Sequence, residues 1–381
     1  MTRVYLHIGA PKTGTTYLQE VLFRNRGRLA EHGLLYPGDS STAHYSAALD
    51  LRGLTFGGYD DPDADGAWEA LAGAARGWRR DAVLISHELL AGADAETIPA
   101  ALSSLGDHEV HVVVTVRDLG RQVPAVWQEM VKNRQTVDYP TYLKHLTRAR
   151  RRGRPAKVFW RQQDVVAVLE HWRAFVPVHR MHVITVPPAG SSPTLLWERL
   201  CQVVGIAPDG YDTVVPRTNA SLGMAEAELV RRVNLALEDR LPWPEFASTV
   251  KFWFAEQLLS SRRGSTRTQV PDRLRPWFDE AAATMVAEVR SHGYDVIGDL
   301  DELRPVYGQP GAADAPDPGE VIDAAAYALA ELLYERAKER PVGAARVVQD
   351  FSARWRGARR RRLLRLLPEP AKRRLRGVGR R

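Results

Sequence analysis

A glycine-rich turn near the start of the chain places a lysine and three threonines between a strand and a helix. The segment Val4–Tyr17 reads VYLHIGAPKTGTTY, in which the apolar run Val4–Ile8 predicts a buried strand and the residues from Thr15 predict a helix. Glycines let a backbone curl so that amide N–H groups and a helix N-terminus face an anion. The spacing therefore predicts a phosphate-binding loop over residues 9–16.

The position of the lysine separates this loop from the loops that bind nucleoside triphosphates. Those loops read G-x-x-x-x-G-K-[ST], with the lysine directly after the second glycine. Gly9 and Gly14 keep that spacing, but Thr15 stands in the place of the lysine, and Lys12 lies inside the loop. The displacement predicts a ligand that is bound differently from ATP or GTP. A P-loop kinase using MgATP stays open as an alternative, because Thr16 could still reach a metal ion.

The segment Lys12–Thr16 after a strand resembles the 5′-phosphosulfate loop of sulfotransferases. Those enzymes move a sulfuryl group from 3′-phosphoadenosine 5′-phosphosulfate (PAPS) to an acceptor. The resemblance implies that Lys12 binds the 5′-phosphosulfate and stabilises the negative charge that builds on the leaving phosphate. It implies further contacts to the 5′-phosphate through backbone N–H and hydroxyl groups of Thr13, Gly14, Thr15 and Thr16. PAPS is then the co-substrate, and no metal is required.

A second signal follows a later apolar run, Val110–Val116, which ends in Arg117. In sulfotransferases a strand ends in an arginine, a serine lies eight residues later on the next helix, and both bind the 3′-phosphate of the donor. Arg117 fits the first role, since its planar fork suits a phosphate dianion. The serine is missing, because position 125 is Ala125, and Arg121 is the candidate for a replacement. A structural salt bridge of Arg117 with a neighbouring acid is the alternative interpretation.

The pair His87-Glu88 follows a third apolar run, Ala82–Ser86. An acceptor hydroxyl must lose its proton as it attacks sulfur, and a histidine or carboxylate can take that proton. By resemblance, the base is a histidine in cytosolic sulfotransferases and usually a glutamate in Golgi-type carbohydrate sulfotransferases. Alternation along an extended segment points the two side chains to opposite sides, so only one faces the donor. We predict Glu88 as the base, with His87 second and a purely structural Glu88 left open.

A softer resemblance lies in residues 216–223, which read PRTNASLG. An Asn-x-Ser-Leu motif is common at this place in bacterial sulfotransferases, which implies that Asn219 and Ser221 lie near the nucleotide or order a loop over it. A helix N-cap formed by Ser221 is an equal alternative. Farther along, Ser261–Gly264 resembles the basic loop that grips the 3′-phosphate in cytosolic enzymes.

Four short β-branched runs separated by helical segments predict an α/β fold with a parallel sheet flanked by helices. The fourth run is Met181–Val186. The resemblance implies the P-loop NTPase-like sulfotransferase fold. Ligands of such sheets bind beyond the carboxyl ends of the strands, where the loop, His87-Glu88 and Arg117 all lie. The predicted organisation is a sulfotransferase domain over 1–305 with a mainly helical C-terminal part, a linker over 306–319, a helical extension over 320–351 and an Arg-rich tail over 352–381.

The positive charge of the chain is confined to its tail. Residues 352–381 contain twelve arginines, Lys372 and one acid, Glu369, so their net charge is +12. The net charge of the whole chain is +7, and that of residues 1–351 is therefore −5. This distribution argues against a nucleic-acid partner. A tail that mixes arginines with Trp355 and leucines predicts weak contact with an anionic membrane surface. A tail that folds back on the acidic body and a disordered basic tail are the alternatives. The lone Cys201 and the early first strand predict a cytoplasmic protein without a leader peptide, peripheral at the inner membrane surface through this tail.

These features together predict a PAPS-dependent sulfotransferase. The acceptor is a hydroxyl or amine of a small molecule, glycan, lipid or natural product, and residues 38–66 and 219–300 are predicted to shape its pocket. A non-catalytic PAPS-fold binding protein is a further alternative, since Ala125 replaces the expected serine.

Overall fold

The structure is a computed structural model that describes residues 2–148, 154–215 and 221–339. The chain divides into two compact units, Met1–Ala324 and Ala325–Arg381. All strands and the candidate site described below belong to the first unit. The domain boundaries at 305 and 319 stay predictions, and the tail over 352–381 lies outside the described residues.

Six short strands of the described residues form one parallel sheet. They are β1 (Arg3–His7), β2 (Leu34–Leu35), β3 (Ala82–Ser86), β4 (Glu109–Val116), β5 (Met181–Thr185) and β6 (Asp295–Ile297). Their order in the sheet is β2-β3-β1-β4-β5-β6. Strands β1, β3, β4 and β5 are the four apolar runs expected from the sequence, and the parallel α/β prediction is confirmed. The other two contain two and three residues, which is too few for an apolar run to identify a strand.

Helices pack on the sheet and extend beyond it. They are α1 (Thr15–Arg24), α2 (Arg26–Glu31), α3 (Ala43–Arg52), α4 (Ala67–Gly77), α5 (Thr97–Ser104), α6 (Leu119–Lys132), α7 (Tyr139–Arg148), α8 (Arg154–Gln163), α9 (Val165–Arg173), α10 (Leu195–Val204), α11 (Met224–Leu237), α12 (Trp243–Phe246), α13 (Arg275–His292) and α14 (Pro318–Glu339). A π-helical segment, Ala247–Leu258, continues α12. The sequence pattern predicts one helix over 15–32, but two form, because Asn25 ends the first and its Nδ2 bonds back to the Val21 carbonyl oxygen at 2.7 Å.

Apolar side chains form two layers, one on each face of the sheet. Leu6 and Val112 belong to the layer under α3, α4 and α9, while Tyr5 and Val113 belong to the layer under α1 and α10. Alternation along each strand divides the residues in this way. Because β1 lies between β3 and β4, the segments that follow these three strands become neighbours at the carboxyl edge. This is the place where open α/β sheets bind ligands.

Two buried histidines predict that the fold loses stability in mild acid. Burial lowers the pKa of His7 and of His44 from 6.5 to about 4. Below pH 6.5 the unfolded chain takes up protons that the folded chain does not bind until about pH 4. The free energy of unfolding is therefore highest above pH 6.5. It falls by about 3 kcal/mol per histidine as the pH is lowered from 6.5 to about 4.

Urea unfolding at several pH values measures this loss. We expect the midpoint to fall between about pH 7 and pH 4.5, and to fall by less in His44→Gln. A midpoint that stays constant over this range would contradict the assignment of the loss to the two histidines.

Candidate active site

The glycine-rich turn after β1 packs directly against the predicted base. Gly9 has φ +117°, and a Cβ there would lie 3.1 Å from the Glu88 Cα. Gly14 precedes α1 with φ +89°, and a Cβ there would meet Leu196 Cδ2 at 2.6 Å. Both positions need glycine for backbone conformation and for space. The first glycine thus places the start of the loop against the Glu88 backbone.

Side chains of β4, α6 and α8 donate hydrogen bonds to the carbonyl oxygens of the loop. The Gly9 oxygen accepts bonds from the backbone N–H and the hydroxyl of Thr115, at 2.6 and 2.9 Å. The Pro11 oxygen accepts bonds from Nε2 of Gln122 and of Gln163, at 2.5 and 3.1 Å. Among the described residues, no side chain caps the N-terminus of α1. The first N–H groups of this helix therefore stay available to an anion at the cleft.

Lys12 adopts a backbone conformation that is unusual for lysine. Its φ is +67°, which costs about 1 kcal/mol or more and recurs at functional sites. Its Nζ lies 3.1 Å from Oε2 of Glu129 on α6. Lys132 and Lys251 contact the same carboxylate at 2.8 and 2.9 Å. Burial alone would raise the pKa of Glu129, but the three ammonium groups hold it well below its usual range.

The three loop threonines have different environments. The Thr13 hydroxyl is buried and lies 2.5 Å from both the Ala10 oxygen and Thr115 Oγ1, so it fastens the loop from inside. Thr15 is buried at the start of α1, and its side chain helps to lower the pKa of Glu88. Thr16 is exposed and lines the cleft together with Gly14. Thr15 also lines this cleft, and Thr16 is the exposed member of the two.

Arg117 is a partly buried guanidinium at the end of β4. Its Nη1 donates to the Lys12 carbonyl oxygen at 3.3 Å, and its Nε is buried without a hydrogen-bond partner among the described residues. Burial, together with the charge of Arg121, lowers the pKa of Arg117 to about 10. Within the described part of the chain it forms no salt bridge with an acid. The guanidinium therefore lacks an anionic partner at the wall of the cleft.

Arg121 differs from Arg117, because it has an acidic partner. Its Nε forms an ion pair with the buried Asp118, which begins α6, and its Nη1 donates to the Pro187 oxygen at 3.2 Å. Its Nη2 is buried without a partner among the described residues. One nitrogen of Arg121 thus remains to bind a ligand, while the others hold the start of the helix.

The His87-Glu88 pair follows β3 and lines the same cleft. Glu88 Oε2 accepts a bond from Gln19 Nε2 at 3.3 Å. Burial opposes ionisation of Glu88, but His87, the backbone and the side chains of Gln19 and Thr15 outweigh it and lower its pKa. Burial also lowers the pKa of His87. At neutral pH the pair is therefore a carboxylate beside a neutral imidazole.

The hydrogen bonding of His87 fixes which of its nitrogens carries the proton. Its Nδ1 lies 3.2 Å from the backbone N–H of Leu89, which it accepts. A neutral imidazole that accepts at Nδ1 carries its proton at Nε2. His87 is consequently a hydrogen-bond donor toward its surroundings, and Glu88 is the acceptor of the pair.

One cleft of about 2050 Å³ joins these groups. Side chains from both segments predicted to shape an acceptor pocket line it, including Tyr45, Phe56, Tyr59, Trp243 and Phe252. Ser221 also lines the cleft, and its Oγ donates to Gln128 Oε1 at 3.0 Å rather than capping a helix. Asn219 lies outside the described residues. Arg262 lines the cleft but pairs with the buried Glu226.

The chain is similar to a sulfotransferase of known structure. The crystal structure of that sulfotransferase, from Alicyclobacillus acidocaldarius, is 18% identical to this chain, with a TM-score of 0.38. The match covers 56% of this chain and 85% of that one. No family model and no curated protein matches the chain. At this TM-score the similarity assigns no family.

Several residues at the site were not predicted from the sequence. They are Gln19, Gln122, Glu129, Lys132 and Lys251. The spacing of Arg121, Ala125, Glu129 and Lys132 on one face of α6 would have pointed to the cleft, because the helix starts directly after Arg117. Lys251 lies in a π-helical segment far along the chain and has no such signal.

Two further findings concern the described residues alone. No group of histidine, cysteine or acidic side chains there is arranged to hold a metal ion. No helix there is long and apolar enough to span a membrane. The metal-free reaction, the cytoplasmic location and the membrane contact of the tail stay predictions.

Proposed function

We propose that this chain is a PAPS-dependent sulfotransferase that acts on a hydroxyl or amine acceptor. The supporting observation is the set of groups at one cleft. Among the described residues, Lys12 lies in a strained loop whose helix N–H groups have no side-chain cap, Arg117 has no acidic partner, and Glu88 is an ionised acceptor in contact with the same loop. Such a set suits a donor with two phosphate positions and a reaction that releases a proton.

The proposed step is an in-line transfer. The acceptor oxygen forms a bond to sulfur, and the bond between sulfur and the bridging phosphate oxygen breaks. The acceptor proton passes to the Glu88 carboxylate. Lys12 stabilises the charge on the bridging oxygen as the 5′-phosphate departs. Donor binding must draw the Lys12 ammonium away from Glu129, which keeps Lys132 and Lys251 as partners.

The 3′-phosphate is proposed to bind at Arg117. Its Nε and the Nη2 of Arg121, which have no partner among the described residues, supply donors at the cleft that Ala125, in the place of the expected serine, also lines. Ser221 lines the same cleft and bonds to Gln128 on α6, the helix that carries Arg121 and Ala125. The acceptor is proposed to bind against the aromatic side chains of residues 45–59 and 243–252, which meet where Phe56 stacks on Trp243 at 5.1 Å.

The kinase alternative is disfavoured by the environment of Thr15. The lysine required after Gly14 is replaced by this threonine, which is buried and helps to lower the pKa of Glu88. Thr16 remains free to reach a metal ion, so the alternative is decided by measurement. A non-catalytic PAPS-binding role is the other alternative.

Equilibrium binding of 3′,5′-adenosine bisphosphate without metal tests the proposal. We expect wild-type protein to bind it and Arg117→Ala to bind at least about tenfold more weakly, because a charge-assisted hydrogen bond contributes about 1.5–3 kcal/mol. Arg173→Ala, on the surface of α9, is the matched control and should bind like wild type.

Two other outcomes would reject the proposal. Binding of MgATP in place of the bisphosphate would support the kinase. Bisphosphate binding without turnover of labelled PAPS, across phenol, sugar, lipid and amine acceptors, would support a binding protein.

A further inference from the structure

A fully buried histidine joins the three central strands of the sheet. His7 ends β1, and its Nδ1 lies 2.8 Å from Ser86 Oγ on β3. Its Nε2 lies 3.3 Å from Thr115 Oγ1 on β4. Neither contact is local in the sequence. The imidazole therefore bridges the strands that lead to Glu88 and to Arg117.

Each neighbour of His7 continues toward the candidate site. On one side, Thr115 Oγ1 donates to the Gly9 oxygen at 2.9 Å and lies 2.5 Å from Thr13 Oγ1. On the other side, Gln19 Nε2 lies 3.4 Å from Ser86 Oγ and 3.3 Å from Glu88 Oε2. A continuous chain of hydrogen bonds thus runs under the cleft from the loop to the carboxylate.

The donors and acceptors of this chain balance with a neutral histidine. Thr115 donates its hydroxyl proton to the Gly9 oxygen, so its oxygen accepts from the Thr13 hydroxyl and from His7 Nε2–H. His7 Nδ1 then accepts from the Ser86 hydroxyl, whose oxygen in turn accepts from Gln19. Burial lowers the pKa of His7 to about 4, which keeps this single proton state at neutral pH. Buried polar chains that are fully satisfied are rigid.

We propose that His7 is a positioning residue that holds the Lys12 loop and Glu88 in one hydrogen-bonded frame. The inference rests on the proposed function for its catalytic consequence, but the frame itself is a property of the fold. The sulfuryl-binding loop and the proton acceptor come from separate strands, and an error of about 1 Å between them can cost about 10²-fold in rate.

The first test examines the hydrogen bonds of the frame by NMR and needs no enzymatic reaction. In protein labelled with ¹⁵N-histidine, His7 should show a protonated Nε2 that does not titrate between about pH 5.5 and 8. Thr115→Val, on the loop side, should shift the side-chain amide resonances of Gln19 in the wild-type background and leave them unmoved in a His7→Phe background. Gln19 is read because it bonds Ser86 beyond His7, whereas Gly9 packs directly on Glu88. A titrating His7, or Gln19 side-chain resonances that ignore Thr115→Val, would overturn the frame even if PAPS is never turned over.

The second test compares two replacements of His7. His7→Phe removes both bonds and is expected to lower kcat at least about tenfold, while the Kd for 3′,5′-adenosine bisphosphate changes less than about threefold. His7→Gln keeps an amide donor and an acceptor and should recover most of the rate. His182→Phe, buried on β5 and bonded to Asp295, is the control for losing a buried histidine and should keep its kcat.

The outcomes separate positioning from stability. A parallel loss of kcat in His7→Phe and His182→Phe, or no recovery in His7→Gln when it is folded at the assay temperature, would overturn the positioning role. If His7→Phe does not fold, Ser86→Ala, Thr115→Val and the double variant are compared instead. The effects of the two single substitutions on kcat should be non-additive if the residues share one frame, and additive effects would overturn the positioning role of His7. Failure of the proposed function would instead appear as wild-type protein that neither binds the bisphosphate nor turns over PAPS.

Discussion

Replacement of Lys12 by alanine is expected to lower kcat for sulfuryl transfer by about 10²–10³-fold, the largest effect that we predict. Such a factor is typical for removal of one preorganised group that stabilises developing charge. Lys12 suits this role because its ammonium lies on a loop whose carbonyl oxygens are fastened below, at Thr115, Gln122 and Gln163. The backbone that carries Lys12 is therefore held in place before the reaction starts, and donor binding has only to move the ammonium from Glu129 to the bridging oxygen.

The loss should fall on turnover more than on folding. Glu129 keeps ion pairs with Lys132 and Lys251 when Lys12 is absent, and alanine carries the same backbone cost at φ +67° as lysine. Labelled PAPS turnover and a thermal melt measure the two separately. Lys144→Ala, exposed on α7, is the matched control. Undiminished transfer by Lys12→Ala would overturn the mechanism, and a sulfated metabolite lost only in cells carrying Lys12→Ala would identify the acceptor.

Glu88→Gln is expected to reduce kcat by about 10²–10⁴-fold, which is the usual contribution of a positioned general base. Glutamine has almost the shape of glutamate, so the close packing of Gly9 on residue 88 is kept. Binding of 3′,5′-adenosine bisphosphate should therefore stay near the wild-type value. The carboxylate is suited to this role because it is ionised at neutral pH and accepts a bond from Gln19, which orients it.

A parallel change at His87 tests the choice within the pair. His87→Gln should lose less activity, because the imidazole Nδ1 already accepts the Leu89 N–H and its Nε2 carries the proton. Glu280→Gln, exposed on α13, controls for the loss of a carboxylate. A larger loss in His87→Gln than in Glu88→Gln would reverse the assignment and make the histidine the base.

Local patterns in the sequence were sufficient to predict the four longer strands, the glycine-rich turn after the first of them and the residues that follow each strand. Apolar runs and glycine spacing are short-range signals, since burial of a parallel strand and a left-handed turn each depend on a few adjacent residues. The same signals could not give β2 and β6, whose two and three residues form no pattern. They also predicted one helix where Asn25 separates two.

The sequence by itself determined which chemical groups stand at the carboxyl ends of the strands: Lys12, His87-Glu88 and Arg117. The tertiary structure alone decided how these groups contact one another. The order β3-β1-β4 packs Gly9 on Glu88, turns the Thr13 hydroxyl inward, brings Glu129 to Lys12 and places His7 between Ser86 and Thr115. Strand order is fixed by packing between residues that lie far apart in the chain, so no local spacing could have revealed it.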